Sequence, residues 1–189
     1  MRLSKDGKTL YQYLLGKRDN SFEIGEGVTK ISNAAFAYCI YLKNIIIPNT
    51  VTEIGFAAFA ECSIVYFTIG NNVETIGEEA FEECRGLTSL IIPNNVLRIN
   101  SHAFKGCSGL TSIIIGTGIT SIESFTFSGC SGLTSITIPK NIVTIEDSAF
   151  SNCSNLAKFI VVDNENLGNP IFTAIVNRKL KGSDFSEFN

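Results

Sequence analysis

Six cysteines are the side chains whose type and spacing most invite chemistry in this sequence. An even number of cysteines is typical of a disulfide framework, and clustered cysteines can bind zinc. Neighbouring cysteines are 23 residues apart at every step but one, where the spacing is 22, so they occupy equivalent positions of a repeat. They are Cys39, Cys62, Cys84, Cys107, Cys130 and Cys153.

Equivalent thiols of stacked repeats would form a line of parallel side chains roughly 5 Å apart. A line does not converge on a tetrahedral metal ion, and the sequence has no C-x-x-C pair. Parallel Cβ vectors also suit the torsion of a disulfide poorly. We therefore predict six reduced, buried thiols in preference to disulfides or a metal site, because free cysteine is commonly a core residue.

His102 is the only histidine, and Ser101 beside it raises the hypothesis of a nucleophile and its base. Such a pair needs a third group that orients the base, and the surrounding repeat supplies none. We predict that His102 is an exposed turn residue and that the chain has no catalytic residues. The equivalent positions of the other repeats hold Ala34, Ala57, Glu79, Phe125 and Ser148.

Five glutamates crowd one repeat, where they could attract a cation or a basic partner. Calcium-loop spacing of the D-x-D-x-D-G type is absent, so an ordinary solvated surface is the preferred interpretation. The two G-x-G runs, at 25–27 and 116–118, fall at turn positions and are not predicted to cradle phosphate. We predict no metal site and no cofactor. The glutamates are Glu74, Glu78, Glu79, Glu82 and Glu83.

Composition describes a folded, apolar-rich chain of 189 residues, with 44% hydrophobic and 17% charged residues. The formal net charge of -3 argues against a nucleic-acid partner, because no basic stripe is available to displace counterions from phosphates. The apolar runs are far shorter than the ~20 residues that cross a bilayer, so we predict no membrane insertion in this segment. The first twelve residues lack the apolar core of a secretory signal.

A 23-residue repeat organises the chain, and its anchor is a phenylalanine that precedes each cysteine by three residues. The pattern A-F-x-x-C-x-x-L-x-x-I-x-I-P-x-x-V-x-x-I recurs along the sequence. One residue is missing in the second copy, between Cys62 and Ile64, and we expect the turn to absorb it with strand register intact. The anchors are Phe36, Phe59, Phe81, Phe104, Phe127 and Phe150.

Each repeat predicts one main strand, because apolar and polar residues alternate after the loop leucine. In "LTSITIP", for example, Leu133 and Ile136 point one way while Ser135 and Thr137 point the other. A second, shorter extended piece follows, and the A-F-x-x-C segment predicts a tight helical or 3₁₀ turn. A single unit cannot bury its own apolar side chains, so stacked copies must share one continuous core. The predicted fold is a mainly-β repeat solenoid.

This pattern resembles the BspA-like leucine-rich-repeat family over about residues 22–162. The resemblance implies a right-handed superhelix of ~23-residue coils, with a parallel sheet on one face and short turns or 3₁₀ segments on the other. Members that resemble this chain are mostly surface or secreted proteins, and several are implicated in adhesion. The resemblance therefore implies a cell-surface or secreted location.

A stacked core needs covers at both ends, and the flanking segments differ from the repeats. We predict one leucine-rich-repeat domain over residues 1–189, in which residues 1–21 form a hairpin cap with a turn at 5–8 and a strand at 9–15. Residues 22–162 are the repeats. Residues 163–181 are the C-terminal cap, with a capping helix at 170–180 begun by Asn169 and Pro170. Residues 182–189 are predicted to be a loose tail.

The outward face of the main sheet is the candidate binding surface, because one of its two side-chain ladders is apolar although it faces water. The bland explanation is that β-branched residues suit strands, and the functional one is a recognition surface anchored by Tyr66. The polar ladder runs from Ser21 through Asn44, Tyr66, Ser89, Ser112, Ser135 and Lys158. The apolar ladder runs from Glu23 through Ile46, Thr68, Ile91, Ile114, Thr137 and Ile160.

The function predicted from the sequence is a non-enzymatic protein-binding module, acting in adhesion or interaction at a cell surface. Its partner would be a protein, such as a host or neighbouring-cell surface component. The chain is expected to be a monomer or a weak end-to-end dimer. The alternative is a structural spacer of a larger surface protein, with no ligand of its own.

Overall fold

The computed structural model describes residues 1–14 and 16–162, which form a mainly-β solenoid of about seven turns, ~23 residues apart. Each turn of the chain, which we call a coil, contributes a main strand and then a short strand, and ends in the phenylalanine turn. No helix occurs in this described part. The predicted capping helix at 170–180 and the tail at 182–189 lie outside the described residues.

The main strands are parallel and are aligned by the repeat, so that residues 22 or 23 positions apart lie side by side. Ser112 pairs with Ser89 and Ile113 with Leu90, and the same register continues into Ser135 and Ile136. Equivalent side chains therefore stack on one another, as the sequence predicted. The main strands are β3 (Ser21–Glu23), β5 (Asn44–Ile46), β7 (Tyr66–Thr68), β9 (Ser89–Ile92), β11 (Ser112–Ile115), β13 (Ser135–Pro139) and β15 (Lys158–Val162).

The short strands form a second parallel sheet that begins with an N-terminal hairpin. In that hairpin β1 (Arg2–Leu3) pairs antiparallel with β2 (Thr9–Gln12), and β2 then pairs with the first short strand. The prediction for this segment was a strand at 9–15, whereas β2 ends at Gln12. The short strands are β4 (Lys30–Ile31), β6 (Glu53–Ile54), β8 (Thr75–Ile76), β10 (Arg98–Ile99), β12 (Ser121–Ile122) and β14 (Thr144–Ile145).

A column of phenylalanine rings runs through the core, because each coil presents the same side chain at the same height. Neighbouring rings stack with centroids 4.8–5.6 Å apart, and Phe59 lies 5.0 Å from Phe81. Tyr13 continues the column at its N-terminal end, where its ring lies 5.3 Å from that of Phe36. The continuous core inferred from the repeat is confirmed.

The phenylalanine turn is a run of β-turns, whereas the sequence predicted a helical or 3₁₀ turn. The residue two before the phenylalanine is left-handed in five coils, and the residue two after it is left-handed in all six. In the first coil these are Ala34, with φ of 52°, and Tyr38, with φ of 63°. A helix cannot pass through such residues. The turn is held instead by bonds such as that from Cys39 N–H to Phe36 C=O.

The main sheet is divided in two, which the sequence did not predict. Strands β3, β5 and β7 form one sheet and β9, β11, β13 and β15 form another, with no pairing between β7 and β9. The missing residue after Cys62 lies just before β7. Register with β5 is intact, since Asn44 pairs with Tyr66, but pairing on the other side of β7 is lost. Phe67, a bulkier inward residue than Leu90 or Ile45, packs here between Phe59 and Phe81.

The short-strand sheet is divided at a different place. Strands β1, β2, β4, β6, β8 and β10 form one sheet, while β12 and β14 form a separate pair. The phenylalanine column continues past both divisions, with 5.1 Å between the rings of Phe81 and Phe104 and 5.6 Å between those of Phe104 and Phe127. Within the described residues, no helix is long and apolar enough to cross a membrane.

Candidate protein-binding face

The twelve predicted binding residues lie on the outward side of strands β5 to β15, where they form two neighbouring ladders. The inward residues of the same strands, such as Ile45, Leu90 and Ile113, are buried in the core. Because side chains alternate along a strand, burial of one set turns the other set outward. The polar ladder is Asn44, Tyr66, Ser89, Ser112, Ser135 and Lys158, and the second ladder is Ile46, Thr68, Ile91, Ile114, Thr137 and Ile160.

Large apolar side chains of this face are exposed. Tyr66 is 71% exposed and Ile91 is 65% exposed, and Ile46, Ile114 and Ile160 also face water. An isolated exposed apolar residue is ordinary, but a row of them on one rigid sheet is not. Thr137 and Ser135 are half-buried, whereas Lys158 and Ile160 on the next main strand are exposed.

The division of the main sheet also divides this face. Asn44, Ile46, Tyr66 and Thr68 lie on the first sheet, and the other eight predicted residues lie on the second. Tyr66 and Ile91, the two most exposed large apolar side chains of this face, flank the division. The structure thus brings the predicted residues together as two groups, with the largest apolar side chains where the groups meet.

Threonine hydroxyls tie the second group of strands together at their beginning. The Thr111 hydroxyl donates to the Thr88 carbonyl at 3.0 Å, and the Thr134 hydroxyl donates to the Thr111 carbonyl at 3.2 Å. These hydroxyls are paired with main-chain carbonyls of the preceding coil, so they join neighbouring strands of the second sheet.

All six cysteines are free and buried, as predicted. Five of them donate to the carbonyl of the anchoring phenylalanine of the preceding coil, which the sequence did not reveal. The Cys62 thiol donates to Phe36 C=O at 2.9 Å, and the Cys153 thiol donates to Phe127 C=O at 3.0 Å. Each cysteine thus links two coils through a main-chain acceptor.

Four of the thiols are kept protonated by burial, whereas a hydrogen bond with Cys62 lowers the pKa of Cys39. Burial raises the pKa of Cys84 to about 12 and that of Cys153 to about 11. Burial also raises the pKa values of Cys107 and Cys130. The thiolate is the form that reacts with oxidants and metals, so this ladder is a structural feature and not a reactive one.

His102 is half-buried, whereas the sequence predicted an exposed turn residue. Its ring stacks on Phe125 at a centroid distance of 4.9 Å, and its Nδ1 atom lies 4.0 Å from Glu78 Oε1. Its φ of 61° shows that the position is left-handed. Ser101 makes no hydrogen bond with the ring in the described structure, so the two residues do not form a nucleophile–base pair.

Several of the clustered glutamates are paired with basic side chains. Glu82 accepts from Lys105 Nζ at 2.8 Å, and Glu83 accepts from Arg85 Nε at the same distance. The Glu82 side chain raises the pKa of Lys105. These contacts join neighbouring coils or residues on the surface, which agrees with the solvated interpretation of the cluster.

An exposed apolar cluster on the first coil was missed by the sequence reasoning. Tyr38, Ile40 and Tyr41 are all exposed, and Arg18 lies over the Tyr41 ring at 5.7 Å. The nearby charge of Glu61, together with a hydrogen bond to its side chain, raises the pKa of Tyr38. The signal was available, since later repeats have small residues there. The equivalent residues are Gly106 and Gly129, Ser108 and Ser131, and Gly109 and Gly132.

A parallel solenoid of ~23-residue coils with one buried phenylalanine per coil defines a leucine-rich-repeat protein. The model of the BspA type leucine rich repeat region matches residues 13–101 and 74–181, with six copies. The chain belongs to this family. No curated protein matches the sequence significantly.

Solved structures of bacterial leucine-rich-repeat proteins are similar to the chain. The pneumococcal vaccine antigen PcpA is 26% identical, with a TM-score of 0.76 over 96% of this chain and 43% of that one. A leucine rich cell surface protein from Faecalibacterium prausnitzii is 28% identical, with a TM-score of 0.66 over 89% of this chain and 39% of that one. A leucine-rich repeat protein from Bacteroides ovatus is 30% identical, with a TM-score of 0.70 over 74% and 37%. The chain spans about two fifths of the length of these proteins.

Proposed function

We propose that this chain is a non-enzymatic protein-binding module that acts at a cell surface or after secretion. The leucine-rich-repeat fold is typical of protein-interaction and adhesion modules. One similar structure is a cell surface protein and another is a vaccine antigen, which supports the location. Within the chain, residues 1–21 would be the N-terminal cap, 22–162 the binding repeats and 163–181 the C-terminal cap.

The observation that carries the proposal is the exposed apolar ladder on a rigid parallel sheet. Ile46, Ile91, Ile114 and Ile160 stand on strands whose inward sides are locked in the core, so they lose little conformational freedom on binding. Tyr66 supplies a large aromatic anchor beside them. Asn44 and Lys158, with Glu23, would set specificity at the edges of the face.

The test is an affinity capture with the immobilised chain, using a surface-protein extract of host epithelial cells. The variant I91T/I114T removes apolar area while keeping β-branched residues that suit a strand. Val143→Thr is the matched control, because Val143 is 70% exposed but does not lie on the main sheet. We expect a captured protein to be lost with I91T/I114T and retained with Val143→Thr, and then to bind the purified chain directly.

Equal capture by both variants would contradict the proposal, provided that their thermal unfolding matches that of the original chain. That result would show that the face is inert and would favour the spacer.

A further inference from the structure

The short-strand sheet has an interrupted hydrogen-bond ladder between β10 and β12. At every other junction between short strands, within residues 8–146, main-chain amides of the later coil donate two or three hydrogen bonds to carbonyls of the earlier coil. Val143 N–H, for example, donates to Thr120 C=O at 2.7 Å, and Glu146 N–H donates to Ile122 C=O at 2.9 Å. Between β10 and β12 none of these bonds forms.

Five main-chain groups face each other across this junction without a hydrogen bond to any described residue. Two are acceptors and three are donors. Ile99 is buried and Ser121 and Glu123 are half-buried, so their groups need a partner, whereas Leu97 and Thr120 are exposed. The acceptors are the carbonyls of Leu97 and Ile99, and the donors are the amides of Thr120, Ser121 and Glu123.

A cavity of about 290 Å³ lies at the same place. Its walls include Leu97 and Ile99 on one side and Ser121 and Glu123 on the other, so four of the five unpaired groups belong to lining residues. Glu78, Arg98, Asn100 and Ser101 also line it, so both signs of charge border the cavity. The gap in the ladder and the cavity are therefore two views of one opening, which we call the open junction.

The open junction is narrow, because coils are held together on both sides of it. His102 N–H donates to Ser124 C=O at 3.2 Å on one side. On the other side Thr117 N–H donates to Asn94 Oδ1 at 3.0 Å, and a Cβ on Gly118 would collide with Val96 C=O. A complete added strand needs two spacings of about 4.8 Å. Such a strand does not fit between coils pinned in this way, so an occupant has to be smaller than a strand.

The donors and acceptors select among planar groups. A carboxylate has only acceptors and would leave the Leu97 and Ile99 carbonyls unpaired. A guanidinium has only donors and would leave three amides unpaired. A primary carboxamide offers an oxygen that accepts two bonds and an NH₂ group that donates two. It matches both sides of the opening and is uncharged.

We propose that the open junction is a binding subsite for a primary carboxamide, the group that ends an asparagine or glutamine side chain. The subsite lies on the short-strand sheet and does not depend on the face of the main sheet. It would bind one asparagine or glutamine side chain of a protein that contacts the short-strand sheet.

The probe is acetamide, added to the full ¹⁵N-labelled chain and followed by amide chemical shifts. We expect saturable shifts of Thr120, Ser121 and Glu123 in the millimolar range, as is usual for so small a ligand. Val143, Thr144 and Glu146 are the internal controls, because they occupy the intact junction one coil later. Acetate and guanidinium should leave all six amides unchanged, and N-acetylglucosamine, with a secondary amide, should bind more weakly than acetamide.

The variant E78Q/E123Q separates charge from shape. It should retain the response to acetamide and still give none to acetate, because acetate has no donor for the Leu97 and Ile99 carbonyls. A new response to acetate would show that charge, and not the pattern of donors and acceptors, selects the ligand. Free-protein hydrogen exchange gives an independent check, since Thr120, Ser121 and Glu123 should exchange much faster than the three control amides.

Slow exchange at these three positions would show that the junction is closed in solution and would overturn the proposal. Fast exchange without a saturable response to acetamide would overturn it too, because water alone would then fill the opening. Equal responses to acetamide, acetate and guanidinium would remove the claimed selectivity.

Discussion

At the scale of single residues, the thiol ladder accounts for six unpaired cysteines in a protein proposed to work outside the reducing cell interior. Disulfides are favoured in oxidising surroundings. Here all six thiols are buried and five of them donate to carbonyls. The Cys84 thiol, for example, donates to Phe59 C=O at 3.0 Å, and the Cys107 thiol donates to Phe81 C=O at 3.2 Å. The packing of the repeat therefore protects them without any bridge.

Thiol titration of the folded chain tests this protection. We expect Cys84, Cys107 and Cys130 to be unreactive toward a disulfide reagent at pH 8, and all six cysteines to react after denaturation, because burial keeps the thiolate form scarce. Cys39 should react first, since it is slightly exposed and makes no bond to a phenylalanine carbonyl of a described coil. The Cys39→Ser variant identifies that site. Rapid modification of Cys107 in the folded chain would contradict the expectation.

The left-handed turn positions offer a stabilising substitution. Ala34 has φ of 52° and is exposed, so Ala34→Gly removes backbone strain without removing packing. We expect the free energy of unfolding to rise by about 0.5–1 kcal/mol. The left-handed conformation costs a non-glycine residue ~1–2 kcal/mol, and the greater entropy of glycine in the unfolded chain offsets part of the gain from removing that cost. Urea unfolding measures the change. Ala37→Gly is the control at an ordinary φ, and it should destabilise; a stabilising effect there would remove the explanation.

At the scale of strands and turns, much of the fold followed from the sequence. Alternation after the loop leucine located the main strands, and the fixed spacing of Phe104 and Phe127 placed their rings in one column. The strand divisions did not follow, because a repeat pattern treats every junction alike. Whether two strands pair depends on the local positions of main-chain groups, which the pattern does not give.

The candidate face shows the same limit. Period-two alternation placed Ile91 and Ile114 on the outward side, and both are exposed. The pattern could not show that Tyr66 and Ile91 flank a division of the sheet. His102 was expected to be exposed because its slot varies, but the ring lies against Phe125, a contact between two variable positions. Variability in a slot therefore does not measure exposure.

The missing residue after Cys62 can be restored to test its part in dividing the main sheet. Insertion of a glycine between Ser63 and Ile64 recreates the C-x-x-L spacing that Cys107 and Leu110 have. We expect β7 and β9 to pair, so that the Ser89 amide becomes protected from hydrogen exchange while Ser112, already paired with Ser89, is unchanged. If Ser89 stays unprotected, the missing residue is not the cause, and Phe67→Ile tests the ring instead.

At the scale of the whole molecule, stability is shared between neighbouring coils. Phe104→Ala opens a cavity toward two coils and should cost about 3–5 kcal/mol of unfolding free energy. Phe150→Ala is the matched control, because Phe150 is only partly buried, and it should cost less. Urea unfolding of both variants gives the comparison. A larger loss at Phe150 than at Phe104 would contradict a core whose strength is greatest in the middle.

The two sheet divisions fall at successive junctions and on different sides of the molecule. The first lies between β7 and β9 and the second between β10 and β12, so each junction keeps one sheet closed and the phenylalanine column unbroken. A mechanical load that pulls the two ends apart would meet less resistance there than elsewhere. Unfolding under load should therefore start at these two divisions. The repeats between and beyond them should unfold later, as separate blocks.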